Sequence, residues 1–441
     1  MTPKLLIPLM SLVGLSLGPV AARAQQVEVR SALDHAVLPA HKKQTAYLRV
    51  GLRGFTAAGR ARAPLNVAIV IDKSGSMSGD KIANAREAAK AAIQQLVDDD
   101  IVSVIAFDDT VQVLVPATKV SDRQTILTGI SRLTAGGHTA LFAGTVKGGA
   151  EVRKFLSKER VNRVVLLSDG QANVGPQSAS ALGQLGATLR KEGVSVTTVG
   201  LGLGYNEDLL VQLAQQSGGQ HVFIEDHRRL AEIFRQGFGG LASIVAQEVV
   251  VKVTLAPDVR PVRVLGRDAE IIGQTVTVQM PELYAGQLDD MVLELEVAAS
   301  APQSRRIADV EVSYHNTITR SLDRIAQTVA AEMSEDPARW GASEDREVGV
   351  AVAERLANEA SRRAIELRDQ GKVDEARRLM QESAARLKEG ARAFESKTLE
   401  DLAKEYDFDA QNVEGPAWER QRKHMTRRNY VSPYQIDQQN F

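Results

Sequence analysis

Between residues 65 and 244, continuous apolar runs alternate with segments of helical spacing. Five of the runs have the pattern of buried strands: Val67–Ile71, Val102–Phe107, Val164–Ser168, Val194–Val199 and His221–Ile224. Apolar residues recur every three or four positions in four intervening segments: Lys81–Leu96, Leu141–Phe155, Ser178–Lys191 and Glu207–Gln215. This alternation predicts an α/β fold with a doubly wound, mostly parallel sheet that helices cover on both faces. The tight turn before Val111–Val115 predicts an antiparallel strand at the edge of that sheet.

The segments on either side of this α/β unit have a different pattern. Apolar and polar residues alternate in places within residues 46–52, 249–255 and 291–297. Such alternation is typical of half-buried antiparallel strands. We therefore expect residues 245–319 to form a β-sandwich, to which the strands in residues 26–60 also belong. The α/β unit at residues 65–244 is then inserted in, or followed by, this β-domain.

Residues 321–407 have helical spacing. Glu344–Gln370 and Val373–Lys388 each place apolar residues on one stripe, and Gly371 separates them, which predicts a helical hairpin. A packing role is the simplest interpretation, because a lone hairpin lacks the neighbours of a repeat array. Residues 408–441 form a basic tail, which we expect to be solvated or docked on the chain itself.

The first 24 residues have the features of a cleavable signal peptide. Lys4 precedes an apolar stretch, and Ala22-Arg23-Ala24 has the small-x-small form of a signal peptidase site. Proline and small residues interrupt the stretch, so it is short for a bilayer span of about 20 residues. We expect export to the periplasm or the exterior, with no stable membrane insertion after cleavage.

Composition narrows the candidate functions. The 441 residues include 54 basic and 55 acidic side chains. This balance argues against nucleic acid as a partner, because proteins that bind nucleic acids usually have a strongly basic domain. The chain contains no cysteine, which excludes disulfides, thiolate zinc sites and cysteine nucleophiles. The candidate site must therefore use other chemistry.

Oxygen-bearing side chains follow the ends of the predicted strands. Asp72, Ser74 and Ser76 come directly after the first strand. Thr139 precedes a predicted helix, and Asp169 ends another central strand. Because the carboxyl ends of parallel strands meet at one edge of the sheet, we expect these residues to surround one point. Oxygen donors without imidazole or thiolate favour Mg²⁺, with Ca²⁺ or Mn²⁺ also compatible, over zinc or copper.

These residues resemble a known motif. Asp72-x-Ser74-x-Ser76, with Thr139 and Asp169-Gly170 farther along, is similar to the metal-ion-dependent adhesion site of the von Willebrand factor type A (VWA) domain. The resemblance covers residues 65–244. The order of segments also looks like that of exported bacterial relatives of the inter-alpha-trypsin inhibitor heavy chains. The resemblance implies a binding or adhesion module, not an enzyme, whose metal ion binds an acidic residue of a protein partner.

Other interpretations stay open from the residues alone. Asp72 and Ser74 are also common helix-capping residues. A metal-assisted hydrolase would use the ion as a Lewis acid, although no general base is evident. A structural envelope protein would use the metal only to stiffen the loops. The sequence identifies neither the partner nor the resident ion, the oligomeric state or any conformational switching.

Overall fold

The architecture comes from a computed structural model that describes residues 26–56, 62–415 and 417–434. The predicted signal peptide at residues 1–24 lies outside the described residues, so its cleavage stays a prediction. Within the described ranges, no helix has both the length and the apolar character needed to cross a bilayer.

The chain begins with strands that precede an α/β unit. Strands β1 to β3 are Glu28–Leu33, Val37–Pro39 and Gln44–Arg53. In the α/β unit, strands β4 to β9 are Leu65–Asp72, Ile101–Phe107, Val111–Lys119, Val161–Ser168, Ser195–Leu201 and His221–Ile224. Helices α1 to α6 are Asp80–Gln95, Arg123–Ser131, Leu141–Arg153, Ala179–Lys191, Glu207–Ser217 and Leu230–Leu241.

The strands of the α/β unit form one sheet in the order β6-β5-β4-β7-β8-β9. Neighbouring strands are parallel except β5 and β6, which pair antiparallel. Ile69 on β4 faces a core that includes residues of α1, α2 and α6, whereas Val70 faces a core formed with α3, α4 and α5. The predicted doubly wound sheet with an antiparallel edge strand is therefore confirmed.

The β-domain is a sandwich built from both sides of the α/β unit. Strands β10 to β17 are Ile244–Leu255, Val259–Val264, Glu270–Ile272, Thr275–Gln279, Leu283–Tyr284, Leu288–Val297, Gln303–Asn316 and Ser321–Ser334. One sheet has the order β1-β3-β15-β11, and the other has the order β12-β13-β10-β16-β17-β2, with β14 beside β10. Because β3 pairs with β15 along its whole length, the α/β unit is an insertion between β3 and β10.

Strand β17 corrects the expectation that the chain is helical from residue 321 and that the sandwich ends at residue 319. Ser321–Ser334 forms a long hairpin with β16. Its residues alternate between buried and exposed positions at its C-terminal end, where Val329 and Ala331 enter the sandwich core. The sequence Val329-Ala330-Ala331-Glu332 contains good helix formers, but pairing with β16 outweighs that local preference.

The C-terminal region is helical from residue 337. Helices α7 to α11 are Pro337–Ala342, Arg346–Asp369, Val373–Ala393, Lys397–Gln411 and Trp418–Tyr434. Helices α8 and α9 form the predicted hairpin, and Gly371 adopts a positive φ of 80° at its turn. Helix α10 extends this hairpin by packing on α9. Helix α11 occupies much of the predicted basic tail and packs against α8 and the α/β unit.

Candidate metal centre

Asp72 lies at the carboxyl end of β4, where it is completely buried. Its Oδ1 accepts a hydrogen bond from the backbone N of Ser74 at 2.8 Å, and its Oδ2 accepts one from Oγ of Ser168 at 2.6 Å. Burial raises the pKa of Asp72 to about 6, although these hydrogen bonds act in the opposite direction. A cation beside this carboxyl group would favour its charged form.

Hydrogen bonds connect the loop after β4 to the loop after β7. The Oγ atoms of Ser74 and Ser76 are 3.1 Å apart, and Ser76 Oγ donates to Oδ1 of Asp169 at 2.6 Å. Ser74 and Asp169 are buried, whereas Ser76 is exposed. The cluster is therefore accessible to solvent at Ser76.

The loop that carries Thr139 is attached to the same edge of the sheet. Gly75 donates its backbone N–H to the carbonyl oxygen of Gly137 at 2.9 Å, and Thr139 donates its own to Oδ1 of Asn173 at 2.7 Å. Gly137 has a φ of 78°, and a Cβ atom there would overlap Oδ2 of Asp109. This position therefore requires glycine for both conformation and space.

Three of the candidate ligand oxygens converge beside Gly170. A Cβ atom built on Gly170 would lie 3.2 Å from Oγ1 of Thr139, 3.4 Å from Oγ of Ser76 and 3.7 Å from Oδ2 of Asp72. Glycine leaves this space open. Carboxylates and hydroxyls around one such space are the kind of donors that Mg²⁺, Ca²⁺ and Mn²⁺ take. The residues present therefore fit a divalent cation.

A lysine of the chain lies at the candidate metal centre. The Nζ atom of Lys81 on α1 forms an ion pair with Asp169 and donates to the carbonyl oxygen of Ser76 at 3.2 Å. Among the described residues, no group of three or more His, Cys, Asp or Glu side chains is placed to hold a metal ion. The negative charge of this candidate centre therefore comes from two carboxylates, Asp72 and Asp169.

The structure brings together all the residues that the sequence singled out, and their role as ligands stays a prediction. Sequence reasoning missed three supporting residues: Ser168, Asn173 and Lys81. The signal for Ser168 is its place beside Asp169 at the strand end. Asn173 and Lys81 have no comparable signal, because they are polar residues in a loop and on a helix surface.

The α/β unit is similar to a known protein family. The profile of the von Willebrand factor type A domain matches residues 66–236. This chain contains a VWA domain. Such domains typically mediate protein–protein interaction or adhesion. The predicted family is therefore confirmed for this part of the chain.

Similarity extends beyond the VWA domain in some relatives. A solved von Willebrand factor type A protein from Catenulispora acidiphila has a TM-score of 0.69 and 17% identity, over 87% of this chain and 90% of that one. An uncharacterized protein of Synechocystis sp. is 29% identical over 263 residues, which are 57% of this chain and 62% of that protein. The inter-alpha-trypsin inhibitor heavy chain H2 of Mus musculus is 30% identical over 166 residues, which are 35% of this chain and 17% of that protein. The match thus spans less than two thirds of the length of the Synechocystis protein and of the Mus musculus heavy chain.

Proposed function

We propose that the VWA domain is a metal-dependent binding module that joins a protein partner through a bound cation, with Mg²⁺ as the resident ion. The ligands in this proposal are the five clustered residues Asp72, Ser74, Ser76, Thr139 and Asp169. The observation that carries it is the convergence of three ligand oxygens on the open space beside Gly170.

The charge of the donor set supports an acidic partner. Two carboxylates balance the charge of Mg²⁺, and the three remaining donors are neutral hydroxyls. Mg²⁺ takes six oxygen ligands and keeps waters readily, so five side chains leave a position for another donor. A partner's Asp or Glu can reach this position from the solvent side, where Ser76 is exposed. Binding is then ligation across an interface and requires no catalytic step.

Metal binding is tested by titrating the purified full-length chain with MgCl₂ in a calorimeter. Asp169→Ala removes one of two carboxylates and is expected to weaken binding at least tenfold. Asp226→Ala is the matched control, because it removes the same charge from a residue that follows β9. Among the described residues, the Asp226 carboxylate accepts hydrogen bonds only from Arg228. Circular dichroism checks that both variants fold. Absence of Mg²⁺, Ca²⁺ and Mn²⁺ binding by the wild type would contradict the proposal.

The partner is tested by capture from an envelope extract with Mg²⁺ or with EDTA. A partner that is captured only with the metal, and not by Asp72→Ala, supports ligation through the ion. Equal capture in both buffers, with a lower melting temperature in EDTA, favours the structural role instead. Hydrolysis of ester or phosphate substrates that is lost in Asp169→Ala favours the hydrolase.

We also propose that the mature protein is periplasmic or secreted, from the signal-peptide features of residues 1–24. Mass spectrometry of the protein expressed with its own N-terminus tests this. We expect a chain that begins at Gln25, in the exported fraction. An intact Met1 in the cytoplasmic fraction would contradict export.

A further inference from the structure

Helix α11 contacts the VWA domain through a buried lysine. Lys423 is only 3% exposed. Its Nζ atom donates to the carbonyl oxygen of Tyr205 at 2.8 Å, forms an ion pair with Glu207 and lies 4.2 Å from the centre of the Tyr205 ring. A buried ammonium is stable only when its charge and donors are satisfied. These contacts satisfy Lys423 at one place, the loop between β8 and α5.

A second basic residue strengthens the same attachment. Arg422 contacts Glu207 and Asp208 at the start of α5 and also Asp369 at the end of α8. Burial alone would raise the pKa of Glu207, but the charges of Lys423 and Arg422 outweigh it and lower that pKa. Glu207 is therefore ionised at neutral pH. Arg422 on α11 thus connects the beginning of α5 to the end of α8.

Further contacts fix the strands beside this loop. Tyr205 hydrogen-bonds through its hydroxyl to Nε2 of His221 on β9, and its ring covers Gly200 on β8, where a Cβ atom would overlap it. Tyr430 on α11 donates to the carbonyl oxygen of Gly219, just before β9. Helix α11 therefore contacts the β8–α5 loop at the carboxyl end of β8 and the α5–β9 connection at the opposite end of these parallel strands.

The β8–α5 loop also lies close to a residue of the candidate metal centre. A Cβ atom built on Gly204 would lie 3.4 Å from the carbonyl oxygen of Asp169, so the two backbones are in close proximity. Gly204 is adjacent to Tyr205, which Lys423 holds. Tyr205 and Gly204 thus lie between Lys423 on α11 and the backbone of Asp169.

We propose that α11 is a positioning element of the metal centre, in which Lys423 holds the β8–α5 loop against Asp169 and so raises the affinity for the divalent cation. The inference rests on the proposed function for the existence of that cation site. A ligand held in place loses less conformational freedom on binding, which increases affinity. Coupling is reciprocal, so metal binding also stabilises the docked α11. Coupled sites typically change each other's affinity by roughly 5- to 150-fold.

The first experiment measures Mg²⁺ affinity of the full chain by calorimetry. Lys423→Met keeps much of the side-chain length but removes the ammonium, and we expect its Kd to rise at least about fivefold. Lys404→Met is the matched control, because Lys404 is an exposed lysine on α10, and its affinity is expected to be that of the wild type. Lys423→Arg restores the positive charge and should recover part of the affinity.

The second experiment is hydrogen exchange of α11 with and without Mg²⁺. We expect slower exchange with the metal in the wild type and no metal effect in Asp169→Ala. Tyr430→Phe removes one hydroxyl, so it tests the same coupling if Lys423→Met does not fold. Wild-type Mg²⁺ affinity in both folded variants, with metal-independent exchange, would refute the coupling and leave the metal site intact. If the wild type binds no divalent cation, the proposed function and this inference both fail.

Discussion

Buried charges attach helix α8 to the sandwich, and their removal gives a measurable prediction. Asp290 on β15 is completely buried and accepts a hydrogen bond from Nε of Arg49 at 2.7 Å. It also forms an ion pair with Arg355 on α8, which is 1% exposed. Burial acts against the ionised form of Asp290, but the two guanidinium groups outweigh it and lower its pKa. The carboxylate is therefore charged at neutral pH and holds two elements together.

Asp290→Asn keeps the shape of this side chain and removes its charge. Arg49 and Arg355 then lose their ion pairs with Asp290 in a buried position, and Arg49 keeps Glu347 as a partner. Removal of one partner from a buried ion pair costs about 3–5 kcal/mol, and we expect a loss of stability in that range. The assay is urea unfolding followed by the fluorescence of Trp340 and Trp418, which lie on α7 and α11.

Asp401→Asn is the control for this experiment. Asp401 pairs with Lys404 on the surface of α10, where both side chains are more than half exposed. Exposed pairs contribute little to stability, so the urea midpoint of this variant should stay close to that of the wild type. If Asp290→Asn shifts the midpoint no more than Asp401→Asn, the buried pair does not stabilise the attachment of α8.

Two other substitutions test the candidate centre and the VWA core. Gly137→Ala should weaken Mg²⁺ binding at least tenfold in calorimetry, because the new methyl group would overlap the carboxylate of Asp109. Gly136→Ala is the control and should bind Mg²⁺ like the wild type, because a Cβ atom there meets nothing within 4 Å. Equal affinity of the two variants would contradict the role of Gly137. Burial lowers the pKa of His221 to about 3. Below pH 6.5 the unfolded chain therefore takes up a proton that the folded chain does not. The free energy of unfolding then falls by at most about 1.4 kcal/mol per pH unit between pH 6.5 and 3. The difference in urea midpoint between pH 7 and pH 5 should be smaller in His221→Asn than in the wild type, and an unchanged difference would contradict this origin.

Local patterns explain which parts of the fold were predictable. The VWA strands are continuous apolar runs, and Asp72 and Asp169 stand at their ends, so position along the chain alone places both carboxylates at one edge. The prediction of helix from residue 321 was wrong because Val329-Ala330-Ala331-Glu332 has the composition of a helix. Its extended conformation depends on pairing with β16. Helices α2 and α6 were not predicted. Helix α6 contains three glycines within Gly237–Gly240, which lower its helix propensity.

Ion pairs between distant segments were the other feature that the sequence could not predict. Lys423 and Glu207 are separated by 216 residues, and Arg355 and Asp290 by 65 residues. Charged residues on the surface of a predicted helix are usually solvated, and nothing in the local pattern marks the few that are buried. Only the tertiary arrangement shows that α11 docks on the VWA domain and that α8 is attached through buried arginines.

The insertion of the VWA domain between β3 and β10 has a mechanical consequence. The candidate metal centre lies at the carboxyl end of β4, whereas the sandwich contacts the opposite end of the sheet, where Arg163 near the start of β7 pairs with Glu282. Eight residues of β4 separate the two ends by roughly 25 Å at about 3.3 Å per residue. The chain passes from the sandwich into the VWA domain after β3 and returns to the sandwich at β10. A force that pulls on the candidate metal centre is therefore carried to the sandwich through two covalent connections, one before β4 and one after α6.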